Sequence, residues 1–145
     1  LAVRAFLSFD ISSIPQDAVI EAAILDLSDC TVVGEPTYVK GKHGNMGALE
    51  VYHYQYGDFE DLGREAYMRI TPFTANGMQQ DYPLDPWRWD IKESDQGEPV
   101  VQQLVESGAA RCQLRLQFFT STNWDGVADM LCFENATLTV YYTVP

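Results

Sequence analysis

Residues 5 to 27 alternate apolar and polar side chains with a period of two, and this pattern restricts the fold more than any other feature. Leu7, Phe9 and Ile11 fall on one side of an extended segment, and the residues between them fall on the other. After a turn containing Ser and Pro, a second inward set follows: Ile20, Ala23, Leu25 and Leu27. Such alternation is typical of half-buried β-strands. The irregular spacing between Ile20 and Ala23 also predicts a β-bulge.

Strand-like alternation recurs along the chain, in residues 51–56, 87–91, 112–119 and 136–142. Residues 99–107 alone have apolar side chains at helical spacing between a proline and a glycine, which predicts one short helix. Residues 29–49 have the composition of a glycine-rich loop with at most a short strand at 37–40, and residues 65–71 are a further candidate strand. These elements predict an all-β fold: an antiparallel β-sandwich, of the jelly-roll type, with one short helix.

Size and charge limit the classes of partner. A chain of 145 residues suffices for a single β-sandwich domain, residues 1–145, with one core. With 21 acidic and 9 basic residues the formal net charge is −12. Nucleic acid is therefore not an expected partner, because binding to its backbone needs clustered basic residues. Membrane insertion is not expected either, because no apolar run reaches the roughly 20 residues that span a bilayer.

The residues that most often catalyse reactions occur without a recognisable catalytic spacing. The only histidines are His43, in a glycine-rich stretch, and His53, among tyrosines. Asp58, Glu60 and Asp61 share one polar segment, which is more typical of a solvated loop than of a catalytic pair. We therefore predict a non-catalytic protein.

Three cysteines, Cys30, Cys112 and Cys132, are too few and too far apart for a zinc site built from paired C-x-x-C motifs. One disulfide with one free thiol is compatible with the sequence. Three thiols that act as small apolar side chains are equally compatible with it.

Three segments resemble the DNRLRE-type domain family, β-sandwich modules of secreted and cell-surface proteins of archaea and bacteria. Residues 4 to 27 resemble the family's opening, in which a strand ending in Phe-Asp leads through a Ser and Pro turn to an Ile, Ala, Leu, Leu strand. Trp89-Asp90-Ile91 and the predicted helix from Val100 to Val105 are similar to a later strand and helix of that family. Leu138 to Tyr142 is similar to the family's closing strand. The family's first strand precedes this opening, so the resemblance implies that a strand is missing before Leu1 or comes from another chain.

The resemblance implies a fold related to galactose-binding-like jelly rolls and a location that is extracellular or at the cell surface. The expected function is carbohydrate binding, to a polysaccharide or surface glycan, within a larger secreted protein. The alternative is a structural subunit of an extracellular filament, sheath or virion, in which neighbouring copies assemble by β-strand complementation.

Aromatic residues outside the core pattern are the candidates for sugar contacts, because aromatic faces stack on pyranose rings while planar polar groups bind hydroxyls. Trp124, Tyr82 and Trp87 lie in or beside predicted loops, and Asn123 precedes Trp124. For each aromatic residue the alternative is packing against the core.

Two further sets of residues are weaker candidates for ligand binding. Tyr52, Tyr54 and Tyr56 share one side of a predicted strand, where they form either a stacking platform or a cross-strand packing row. Asp125 and Asp129, or Asp29, are candidate ligands of Ca²⁺, the one cofactor that the sequence suggests, although the sequence contains no Asp-x-Asp-x-Asp-Gly motif.

Overall fold

A computed structural model describes residues 3–34, 46, 49–64, 77–80, 88–94, 97–118 and 124–145. The described elements are, in chain order, β1 (Ala5–Asp10), β2 (Val19–Val33), β3 (Leu49–His53), a 3-10 turn (Phe59–Asp61), β4 (Gly77–Gln80), β5 (Arg88–Asp90), α1 (Val100–Glu106), β6 (Arg111–Phe118) and β7 (Met130–Thr143). The strands form two sheets, with the orders β1-β6-β3-β4 (sheet A) and β5-β2-β7 (sheet B). Every described strand pair is antiparallel. The predicted all-β sandwich with one helix is confirmed, whereas the jelly-roll order stays a prediction.

The core consists of the inward-facing side chains of the two sheets. The largest fully buried side chains belong to Leu25, Leu27, Val51, Ile91, Val101, Cys112, Leu114 and Leu116. Ile11, Ile20 and Ala23 are buried in the same cluster, and Leu7 and Phe9 pack against it. The register also shifts between Ile20 and Ala22, so the predicted bulge is confirmed.

Helix α1 packs against β2 and β6 through Val100, Val101, Leu104 and Val105, all of which are buried as predicted. Its end is a Schellman motif: the amide of Gly108 donates to the carbonyl of Val105, and the amide of Ala109 to that of Leu104. Gly108 has a φ of 71°, the left-handed conformation that this motif needs. Among the described residues no helix is long and apolar enough to cross a membrane.

Several strand boundaries differ from those predicted. Strand β2 continues to Val33 instead of ending before a loop at residue 29, and β7 begins at Met130 rather than at residue 136. These added halves pair with each other, are largely exposed and follow register shifts near Asp29, so they lack a clean apolar alternation. Strand β4 (Gly77–Gln80) lies where the sequence predicts no strand, and β3 ends at His53 rather than at residue 56. The candidate strands at 37–40 and 65–71 lie outside the described residues.

Candidate functional site

Of the predicted sugar-contact residues, Trp124 lies in the described part of the chain, and it is 89% exposed. Its φ of 61° is in the left-handed region, which a bulky side chain seldom adopts and which costs about 1–3 kcal/mol. Tyr82, Trp87 and Asn123 lie outside the described residues. Trp89 is half-buried and packs against the core.

Trp124 begins a short turn before β7, which we call the 124–129 loop. The carboxylate of Asp125 accepts a hydrogen bond from the backbone amide of Val127 at 2.8 Å, and Gly126 has a φ of 76°. At the far end of the loop Asp129 lies so close to Gly34 that a Cβ on that glycine would overlap the Asp129 carboxylate. Over the described ranges, no three His, Cys, Asp or Glu side chains lie close enough together to hold a metal ion. Calcium binding by Asp125 and Asp129 stays a prediction.

A second group of residues lies on the outer face of sheet A. Cys112, Leu114 and Leu116 of β6 point into the core, so the residues that alternate with them point outward. An outward face normally meets solvent, yet Gln113, Arg115 and Gln117 on this face are all buried, and Arg115 is only 2% exposed. Other side chains on this face of the sheet therefore cover them.

Aromatic side chains from β3 and the segment just after it cover Arg115. The guanidinium carbon lies 5.0 Å from the ring centroid of Tyr52 and 5.5 Å from that of Tyr54. Burial lowers the pKa of Arg115, and the positive charge of Arg4 lowers it further, while the two tyrosines and Glu50 oppose the shift. The attraction between these rings and the guanidinium thus offsets part of the free-energy cost of removing a cation from water.

Glu50 completes this buried polar layer. It accepts a hydrogen bond from the Tyr52 hydroxyl at 2.6 Å and one from Nε2 of Gln117 at 3.3 Å. The amide oxygen of Gln117 in turn accepts from Nε of Arg4 at 3.0 Å. Strands β1, β6 and β3 are therefore connected on this face by side chains as well as by their backbones.

Two glutamine amides hold the chain after β3 against the sheet. The amide of Gln55 bonds the backbone of β6 at both the Arg111 carbonyl and the Gln113 amide, which extends the β-ladder. The side-chain oxygen of Gln113 accepts from the backbone amides of Tyr56 and Gly57, and its nitrogen donates to the Gly57 carbonyl and the Ser8 hydroxyl. Residues 55–57 are consequently fixed although they form no strand.

The fixed segment presents a cluster of four aromatic rings, Phe6, Tyr54, Tyr56 and Phe59, which we call the aromatic face. Phe6 contacts each of the other three, with ring centroids 6.3, 5.5 and 6.4 Å away respectively. Phe59 is 65% exposed, and the other three are half-buried. Tyr54 and Tyr56 are candidates for ligand contact in the sequence analysis, but neither Phe6 nor Phe59 is. A signal for Phe6 was present, because this aromatic residue falls on the outward, otherwise polar side of β1.

The histidine and cysteine side chains do not form an evident reactive group in the described structure. His53 pairs with Leu114, and burial lowers the pKa of His53, while a hydrogen bond between the His53 and Gln55 side chains opposes that shift. Burial raises the pKa of the Cys112 thiol to about 12. Cys30 lies opposite Phe133 and Cys132 lies opposite Thr31, so these two cysteines face opposite sides of sheet B and do not form a disulfide within the chain. His43 lies outside the described residues.

Comparison of the chain with protein-family models, curated proteins and solved structures found no match. The likeness to the DNRLRE-type family therefore stays a prediction.

Proposed function

We propose that this protein is a non-catalytic, extracellular carbohydrate-binding module that recognises a polysaccharide or surface glycan. The observation that carries the proposal is the exposure of Trp124 in a strained backbone conformation. An indole ring can bury 150–250 Å² in total, and at about 25 cal/mol per Å² a sugar stacked on one face would recover roughly 2–3 kcal/mol. Backbone strain that presents a large apolar ring to solvent is typical of a ligand-binding site.

The 124–129 loop also supplies polar groups of the type that sugars need. The Asp125 carboxylate and the following turn are held by a hydrogen bond within the loop, so the backbone of this turn requires little ordering on binding. Asp125 and Asp129 are the proposed Ca²⁺ ligands, and a bound cation in this loop would itself offer coordination sites for sugar hydroxyls.

The proposal is tested with a glycan array, followed by titration calorimetry on a glycan that binds. Trp124→Ala should weaken binding by about 10-fold or more, which corresponds to at least about 1.4 kcal/mol. Tyr141→Ala is the matched control, because Tyr141 is an aromatic residue on β7 that is 56% exposed. Titration in EDTA and in calcium measures the contribution of a cation. If the wild type binds no glycan on the array, the proposed function is wrong.

The edge of sheet B favours a second candidate, a structural subunit that assembles through its strands. In the described structure β7 has one neighbour, β2, so the other edge of its 14 residues offers unpaired backbone groups. Strand β7 contains no Lys, Arg or Pro, the residues that commonly protect an edge strand.

Light scattering on the purified protein tests this second candidate. Assembly through β7 predicts polymers that Thr139→Lys on the exposed part of β7 disrupts, whereas Gln103→Lys on helix α1 leaves them intact. A wild-type protein that stays monomeric at high concentration contradicts it.

A further inference from the structure

The aromatic face lies apart from the 124–129 loop. Strand β6 runs from Arg111 to Phe118, and the chain that leads to Trp124 leaves its C-terminal end. The aromatic face follows the end of β3, where His53 pairs with Leu114 in the first half of β6. The 124–129 loop leads instead into β7, which belongs to sheet B. The two groups of residues therefore belong to different sheets.

Core packing does not account for the aromatic face. Its rings lie on the outer side of sheet A, whose inner side carries Leu114 and Leu116. Phe59 is 65% exposed at the start of a single 3-10 turn, none of whose residues is buried. The edge-on contact of Phe59 with Phe6, at 71° between ring planes, leaves ring surface available to solvent.

The support beneath the rings holds them in place before a ligand arrives. The Gln113 side chain accepts hydrogen bonds from the amides of residues 56 and 57 and donates to the Gly57 carbonyl and the Ser8 hydroxyl, which fixes all three residues. Gly57 has a φ of 73°, and a Cβ there would meet nothing within 4 Å, so this glycine serves the turn rather than close packing. Binding to rings that are already held loses little conformational entropy.

The charges around Phe59 indicate which class of ligand fits. The exposed acids Asp58, Glu60 and Asp61 flank it in the sequence, with Arg64 as the one basic residue of the described segment 58–64. Arg115 lies beneath the rings and is too deeply buried to meet a ligand. On the same face Arg111 is exposed; its Nε donates to the Ser8 hydroxyl at 2.6 Å, and Asp10 lies opposite it in the register of β1 and β6. Carboxylates accept hydrogen bonds from sugar hydroxyls and repel uronates and sulfates.

We propose that the aromatic face is a second carbohydrate-binding site, which takes neutral polysaccharides and rejects anionic ones. The inference rests on the proposed function and extends it by a site and a ligand class. A pyranose ring stacks on Phe59 and the adjoining edge of Tyr56, and its hydroxyls donate to the surrounding carboxylates. Two sites, one on sheet A and one in the loop before β7 of sheet B, allow one module to hold two chains, or two stretches of one chain.

The test is calorimetric titration with four neutral probes, namely dextran, mixed-linkage β-glucan, galactan and arabinoxylan, and with polygalacturonate as the anionic probe. Wild type should bind at least one neutral probe and not polygalacturonate. Phe59→Ala should lower the affinity at least 5-fold, and Phe59→Ala combined with Trp124→Ala should abolish binding. Tyr141→Ala again is the control for loss of an exposed aromatic ring.

The outcomes separate the inference from the proposed function. If Phe59→Ala and Tyr56→Ala both bind as wild type does while Trp124→Ala binds weakly, the second site is wrong and the proposed function stands. A preference for polygalacturonate overturns the ligand class. If neither the array nor the probes yield binding, both proposals fail.

Discussion

Replacement of Gln113 by leucine tests how the outer face of sheet A is held together. The Gln113 side chain is 4% exposed and makes four hydrogen bonds: it accepts from the Tyr56 amide at 3.0 Å and the Gly57 amide at 2.9 Å, and donates to the Gly57 carbonyl at 2.7 Å and the Ser8 hydroxyl at 3.2 Å. Leucine is similar in volume but makes none of these bonds. Gln113→Leu therefore removes the polar contacts and leaves the packing nearly unchanged.

The expected loss of stability follows from these bonds. At about 0.5–1.5 kcal/mol net for each hydrogen bond, four bonds give roughly 2–6 kcal/mol. Water can reach the backbone amides of Tyr56 and Gly57 once the segment moves away from the sheet, because Gly57 is exposed. We therefore expect the lower part of that range, about 2–4 kcal/mol, from urea unfolding at neutral pH.

The matched control is Gln103→Leu, on the exposed side of α1, which should change the unfolding free energy by about 0.5 kcal/mol or less. Near-UV circular dichroism should also change in Gln113→Leu, because the rings of Tyr54, Tyr56 and Phe6 lose their fixed arrangement. If Gln113→Leu unfolds like Gln103→Leu and keeps the wild-type aromatic spectrum, the Gln113 side chain does not hold the aromatic face.

Three further predictions concern the core, the thiols and an acidic side chain. Leu25→Ala, at a site with 0% exposure, should lower the unfolding free energy by about 2–5 kcal/mol, measured by urea unfolding. A thiol reagent should modify the exposed Cys132 quickly and Cys112 only on unfolding, because burial raises the pKa of Cys112 to about 12; equal rates in native protein would contradict its burial. Hydrogen bonds from Ser28 lower the pKa of Asp26 from 3.8 to about 2, so its contribution to stability is complete above pH 4 and is lost as the pH falls toward 2. Carboxyl NMR titration checks this value, and Ser28→Ala should move the pKa of Asp26 back up.

The strands that face the core could be predicted from the sequence, because their apolar and polar side chains alternate in step with the buried and exposed sides of the strand. This holds for β1, the first half of β2 and β6, and for the bulge after Ile20. The second half of β2 and the first half of β7 are largely exposed and owe their strand conformation to pairing with each other. Local sequence carries little record of such pairing, because the partners lie about a hundred residues apart.

The outer face of sheet A could be predicted only in part. Gln113, Arg115 and Gln117 alternate with apolar residues, so their sequence pattern is that of a solvated strand face. Their burial depends on strands β1 and β3, which approach from more than 50 residues away in the chain. The sequence predicts a loop at Trp124 and leaves open whether its ring packs against the core; in the structure the ring is exposed. The contact between Phe59 and Phe6 could not be predicted, because the two residues lie far apart in the sequence.

The most direct test of carbohydrate binding is an NMR titration of isotopically labelled protein with an oligosaccharide from the polysaccharide that binds most tightly. The account predicts shifts of the Trp124 indole signal and of the backbone amides of residues 54–61, with the Tyr141 signals unchanged. Absence of shifts at both places, or shifts confined to the edge of β7, would contradict it.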